Sequence, residues 1–128
     1  MAARTRIGDL ILDRGRRVLS RGSQTIPLSP LTYKLLVALA EAAPNVVSHD
    51  KLAEIIWDGR PVTPETLSQR VKLLRDALAD DPNHPTYIEG VRGHGYRLLA
   101  PVEPIEDEMP RHERRRGRRS IAIAAALL

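Results

Sequence analysis

The sequence contains no cysteine and no phenylalanine, and only 3% of its 128 residues are aromatic, one Trp and three Tyr. Without thiols there is no disulfide, no thiolate nucleophile and no cysteine-bound metal. So few aromatics leave no stacking platform for single-stranded nucleic acid or RNA, and the core has to be built from Leu, Ile, Val and Ala. Long apolar runs are missing too. The longest, 121–128, is eight residues, against the roughly 20 that a membrane-spanning helix needs, and Met1 to Arg6 lack the apolar stretch of a secretory signal. The four histidines, His49, His84, His94 and His112, share no metal-ligand spacing. The Gly-rich stretch 90–95 is followed by a strand pattern, where a phosphate loop requires a helix. Ser29, Ser48 and Thr63 stand where helix caps are expected, and no paired carboxylates suggest acid–base work. Neither an enzyme nor a cofactor or metal site is expected.

What is present suffices for one domain. Hydrophobic residues make up 42% of the chain, enough for a single modest core. The formal net charge is +4, unevenly placed: residues 1–102 hold 14 Lys and Arg against 11 Asp and Glu, residues 103–110 four acids and no base, residues 111–128 six Arg and one Glu. The expected organisation is a folded domain at 1–102, a charged flexible linker at 103–119 and an apolar tail at 120–128. Arginines directly before an apolar run form the charge pattern of a cytoplasmic membrane flank. The tail is therefore expected to begin a transmembrane helix near Ser120 that a longer parent protein completes, with residues 1–119 in the cytoplasm and the anchor in the inner membrane.

Patterning places the domain in the α+β class. The apolar stretch 7–12, the turn-forming Asp13-Arg14-Gly15-Arg16, and Val18-Leu19 and Thr25-Ile26 around Arg21-Gly22-Ser23 predict an N-terminal antiparallel β-sheet. Ser29 as cap and Pro30 at the first helical position open a helix with Leu31, Leu35, Leu36, Leu39 and Ala42 inward, stopped by Pro44-Asn45. Val46-Val47 suggests a short bridge. A second helix runs from the Ser48 cap to about Trp57 with Leu52, Ile55 and Ile56 inward. A third runs over 64–79 from the Thr63 cap, its buried stripe being Leu67, Val71, Leu74 and Leu78. Two β-rich runs around Arg92-Gly93-His94-Gly95 predict a hairpin at 87–99.

The second and third helices, joined by Asp58-Gly59-Arg60-Pro61-Val62, have the order of a helix-turn-helix, whose later helix reads the major groove. Opposite the buried stripe lie Glu65, Gln69, Lys72 and Asp76, with Thr66, Arg70 and Leu73 on one flank and Arg75 on the other. Gln pairs with adenine N6 and N7, Lys reaches guanine or phosphate, and Leu73 suits a thymine methyl. Thr66 and the backbone N–H groups at the helix start suit a phosphate. Any amphipathic surface helix shows a polar outer face, so this pattern alone does not decide. The hairpin adds Arg92 and His94 on a narrow Gly-flanked tip, where an Arg fits an A·T-rich minor groove.

In this order and register, Leu28-Ser29-Pro30, Val47-Ser48-His49-Asp50-Lys51-Leu52, Trp57, Leu67-Ser68-Gln69-Arg70-Val71, Leu74-Arg75-Asp76-Ala77-Leu78, Asp80-Asp81-Pro82 and the wing Val91-Arg92-Gly93-His94-Gly95-Tyr96-Arg97 resemble the OmpR/PhoB-type winged helix-turn-helix domain over residues 5–101. The resemblance implies a four-stranded N-terminal sheet, a three-helix core and a C-terminal β-hairpin wing. It implies groove-facing positions for Thr66, Gln69, Arg70, Lys72 and Leu73, a minor-groove arginine at Arg92 with Tyr96 beside it, and Trp57 near the phosphate backbone. With Arg75 and His94, these make up the candidate DNA-binding set. Two residues depart from the family pattern: Thr32 stands where Glu often completes a capping box, and Leu73 where a polar reader is common. With no receiver domain expected before residue 5, the arrangement resembles the CadC/ToxR-type one-component regulators. The implied partners are double-stranded promoter DNA, RNA polymerase at loop 58–62 and a second copy on tandem sites. The alternative is a winged-helix protein-interaction module that does not bind DNA; the bases Arg70, Lys72, Arg75, Arg92 and Arg97 on neighbouring elements weigh against it.

Overall fold

The computed structural model describes residues 3–105. Strands β1 (Arg4–Ile7), β2 (Leu10–Asp13), β3 (Val18–Arg21) and β4 (Gln24–Ile26) are followed by helix α1 (Pro30–Ala42), the two-residue strand β5 (Val47–Ser48), helices α2 (His49–Trp57) and α3 (Pro64–Leu78), the hairpin β6 (Ile88–Val91) and β7 (Gly95–Leu98), and β8 (Val102–Ile105). They form two antiparallel sheets, one in the order β4-β3-β2-β1-β8 and one in the order β5-β7-β6.

The expected α+β architecture is present, with two differences in the first sheet. The stretch 7–12 is not one strand: Gly8 and Asp9 turn the chain so that Ile7 pairs with Leu10. The alternation then falls into place, because Thr5 and Ile7 on β1, Leu10 and Leu12 on β2 and Leu19 on β3 are all buried. The second difference is the fifth strand. Residues 103–105, expected to open the linker, lie in β8, where Ile7 pairs with Val102 and Arg4 with Ile105. The acids and prolines after Ala100 read as solvated chain, but only an edge strand is required here, and an edge tolerates Pro104, which has no N–H to donate. The folded unit thus runs past the boundary expected at residue 102. The rest of the expected linker and the apolar tail, 106–128, lie outside the described residues. Among the described residues no helix is long and apolar enough to cross a membrane.

The helices follow their caps. The side chains of Ser29, Ser48 and Thr63 accept hydrogen bonds from the N–H groups of Thr32, Lys51 and Thr66, respectively, satisfying donors that a helix start leaves open. The core beneath is aliphatic apart from Tyr33 and Tyr87, as the lack of Phe required. Leu35, Leu36 and Leu39 of α1, Leu52 and Ile56 of α2, and Leu67, Val71, Leu74 and Leu78 of α3 close on Leu10, Leu12, Leu19, Ile88 and Leu98. Ile55 is the exception: expected inward, it is 39% exposed. On so short a helix Leu52 and Ile56, four apart, define the inner face, and Ile55 is rotated about 100° from Ile56.

Candidate nucleic-acid interface

Helix α3 stands against the core on its expected stripe, and three anchors fix it from outside. At its start, Thr63 caps the helix and the hydroxyls of Thr63 and Thr66 lie 3.0 Å apart. At its end, Arg21 of β3 donates from Nη2 to the Leu78 carbonyl at 2.7 Å, placing a cation at the negative end of the helix dipole. On one flank, Arg70 Nη1 donates to the hydroxyls of Ser29 (3.3 Å) and Thr32 (3.2 Å) at the start of α1. Arg70, for which the resemblance implied a groove-facing position, has its half-buried side chain against the start of α1, with Nε buried and unpartnered among the described residues. Thr32, which weakens the capping box, supplies one of the oxygens that hold it. Arg75, also in the candidate set, lies at the other flank of the helix. It is half-buried, with Nη1 enclosed and without a hydrogen-bond partner among the described residues, because it lies about 80° round the helix from Leu67, on the margin of the buried stripe.

The solvent face of α3 is left to Glu65, Thr66, Gln69, Lys72, Leu73 and Asp76, all exposed. Lys72 Nζ is 3.1 Å from Asp76 Oδ2, one turn on. Both groups are well exposed, so the pair contributes only a few tenths of a kcal/mol and yields easily to a phosphate. Leu73 is 40% exposed. Trp57, the last residue of α2, is half-buried and packs against the core.

The hairpin β6–β7 lies beside this face. Arg92 and His94 are exposed on its turn, and Tyr96 links it to both helices. The Tyr96 hydroxyl is 3.5 Å from Ser68 Oγ on α3, and its ring meets the His49 ring edge-on at 5.5 Å, at the start of α2. Tyr96 therefore stands between the hairpin, α3 and the start of α2. His49 and Ser68 join the site although the sequence reading did not select them; the one available signal was that His49 directly follows the Ser48 cap. The hairpin is seated by β5, which pairs Val47 with Tyr96 and Ser48 with Gly95. At Gly95 (φ +151°) an added Cβ would lie 1.9 Å from the Val47 carbonyl oxygen.

Two polar clusters support this arrangement. Asp80, only 5% exposed, follows α3 and accepts from the N–H groups of Thr86 (2.7 Å) and Tyr87 (3.3 Å) at Oδ1 and of Ile88 (3.0 Å) at Oδ2, shaping the connection to the wing. In the second cluster, Tyr87 donates its hydroxyl to Asp9, while Arg21 reaches Asp9 through Nε (3.2 Å) and the Tyr87 oxygen through Nη2 (3.0 Å). The Tyr87 hydroxyl, and behind it the Arg21 guanidinium, hold the Asp9 carboxyl below its ordinary value, whereas burial pushes the Tyr87 phenol up. A carboxylate whose folded pKa is lowered contributes stability above its unfolded pKa and loses that contribution as pH falls through the folded value. The parent's denaturant midpoint is therefore expected to drop more than that of Asp9→Asn between about pH 5 and about pH 3. Parallel pH profiles would show that the cluster adds no acid sensitivity.

A three-helix core carrying an exposed third helix, with a β-hairpin braced beside it, is a winged helix-turn-helix. The chain belongs to the family described as "Transcriptional regulatory protein, C terminal", whose model matches residues 23–98; it is a regulatory family, not a catalytic one, and its winged helix-turn-helix is of the OmpR/PhoB type. Among curated relatives, the transcriptional regulator HilA of Salmonella typhimurium is 34% identical over 102 residues, covering 80% of this chain and 18% of HilA. The transcriptional activator CadC of Escherichia coli K12 is 33% identical over 98 residues, covering 76% and 19%. The chain thus spans less than a fifth of either relative. Among solved structures, the DNA-binding domain of E. coli CadC superimposes with a TM-score of 0.70 at 30% identity, covering 80% of this chain and 96% of that one. The Klebsiella pneumoniae RstA DNA-binding domain in complex with the RstA box gives 0.69 at 25% identity, covering 74% and 95%.

Proposed function

We propose that this domain binds double-stranded DNA sequence-specifically to regulate bacterial transcription, with α3 in the major groove and the β6–β7 hairpin in the minor groove. The observation that carries this reading is Tyr96, which joins the hairpin to Ser68 of α3 and to His49 at the start of α2, so that an exposed helix face and an exposed arginine tip act as one surface. The similarity to RstA, whose domain was solved with its DNA box, supports the same reading. In the contact set, Thr66, Lys72 and the start of α2 meet phosphates, Gln69 and Leu73 meet bases, and Arg92 enters the minor groove with His94 beside it. Arg70 and Tyr96 bond between these elements and Trp57 packs on the core beneath them, while Arg75 lies at the margin of the buried stripe.

Two substitutions test the assignment. Lys72→Ala is expected to lower the slope of log affinity against log salt by about one, the contribution of one neutralised phosphate; an unchanged slope removes Lys72 from the phosphate contacts. Arg92→Ala is expected to weaken binding mainly to sites with A·T-rich flanks, where a narrow minor groove concentrates negative potential. Equal affinities of variant and parent for such a site would remove the wing from the interface.

The wider assembly belongs to the same proposal. Residues 59–62 of loop 58–62 border an open cleft of about 620 Å³ that Asp50, Lys51 and Glu54 of α2 also line, a polar surface suited to RNA polymerase, and copies of the domain would sit in tandem on DNA. The arginines before residue 120 and the apolar run after it support a parent protein anchored in the inner membrane, with this domain on the cytoplasmic side.

A further inference from the structure

The three cations of α3 are not equally free. Arg and Lys are the usual readers of guanine, through O6 and N7. Arg70 is turned onto Ser29 and Thr32, Arg75 is half-buried with Nη1 enclosed, and Lys72, whose exposed pair with Asp76 yields easily, is assigned above to a phosphate. Glu65, one turn before Gln69 on the exposed face, presents only acceptors, which suit the cytosine N4 amino group and oppose guanine's two acceptors, so the inference concerns the two positions faced by Gln69 and Leu73 alone. Two exposed side chains remain with no polar partner among the described residues. Gln69 carries the donor and acceptor that match adenine N6 and N7, and Leu73 carries methyl groups that match the C5 methyl of thymine. They are four residues apart on one face, about 6 Å along the helix, close to two base-pair steps of about 3.4 Å each.

We infer that α3 selects A·T base pairs, Gln69 reading an adenine and Leu73 packing on a thymine methyl about two steps along the groove. The inference rests on the DNA-binding reading above and adds to it the chemistry of the sequence recognised. It follows from which side chains the fold has already engaged, since the same residues on a free helix would leave two arginines to compete for guanine.

The test is selection of duplexes from a randomised pool by the 128-residue chain, followed by single-base analogues in the selected site. A core with A·T pairs at both positions is expected. Deoxyuridine in place of the contacted thymidine removes only the methyl group and is expected to lower the parent's affinity about fourfold, while leaving that of Leu73→Ala unchanged. 7-Deazaadenine removes N7 and is expected to lower the parent's affinity about fivefold or more, while leaving that of Gln69→Ala unchanged. The analogues act on the parent protein, so misfolding cannot mimic the effect. A selected core of G·C pairs, or a parent indifferent to both analogues, overturns the inference while the DNA-binding reading stands. Failure to retain any duplex overturns both.

Discussion

Replacing Gly95 with alanine is expected to be the most damaging single-methyl change in the domain. The new Cβ would lie 1.9 Å from the Val47 carbonyl oxygen and within 3 Å of two further backbone atoms, and φ is +151°. None of these neighbours is a flexible side-chain end, so the strand pair itself has to separate, breaking the pairing of Val47 with Tyr96 and Ser48 with Gly95. Backbone strain in this region costs about 1–3 kcal/mol before the collision is counted. The total is expected to exceed about 3 kcal/mol, a large part of the roughly 5–15 kcal/mol that stabilises a small domain. Where the variant still folds, the wing loses its seat on β5, and DNA affinity is expected to fall more than tenfold. Gly93→Ala is the matched control: it has positive φ (+77°) but nothing within 4 Å of its added Cβ, so it should cost only about 1 kcal/mol. Thermal melting and DNA titration of the two variants check this. Equal melting temperatures for Gly95→Ala and Gly93→Ala would mean that β5 does not hold the hairpin.

Asp80→Ala is expected to be nearly as costly, for a different reason. The carboxylate serves three backbone N–H groups, and those of Tyr87 and Ile88 are buried. Without it they lose their acceptor in a place water reaches poorly, at about 1–3 kcal/mol for each unsatisfied group. A loss of about 3 kcal/mol corresponds to a fall in melting temperature of about 12–24 °C for a domain of this size. Asp80→Asn keeps one carbonyl oxygen and should fall between parent and alanine variant. An alanine variant that melts with the parent would show that the segment 81–87 holds its shape without the carboxylate.

Local chemistry was legible in the sequence where one residue decides the outcome by itself. Ser29, Ser48 and Thr63 cap their helices as expected, and the α3 stripe is buried at Leu67, Val71, Leu74 and Leu78. Such features depend on helical periodicity and on hydrogen bonds three residues apart. What escaped the reading depends on contacts distant in sequence. The pairing of β8 with β1 joins the two ends of the described chain, and nothing within 102–105 announces it, because an edge strand carries only a weak apolar pattern. The position of Arg70 on the helix put it on the flank of the outer face, and nothing near it in sequence announced that its long side chain reaches residues 38 and 41 positions earlier. Ile55 shows the same limit in reverse, an apolar residue whose exposure is set by where its neighbours Leu52 and Ile56 point. His49 became part of the site only when β5 brought Tyr96 against it.

The central claim is that α3 and the hairpin together recognise particular DNA sequences. It is tested most directly by retaining genomic DNA fragments on the 128-residue chain and then measuring the affinity of the recovered site against random duplex across a series of salt concentrations. A discrete enriched site is expected, bound at least about a thousandfold more tightly than random DNA, with affinity falling steeply as salt rises. Equal retention of all fragments, or no retention even at low salt, would contradict it.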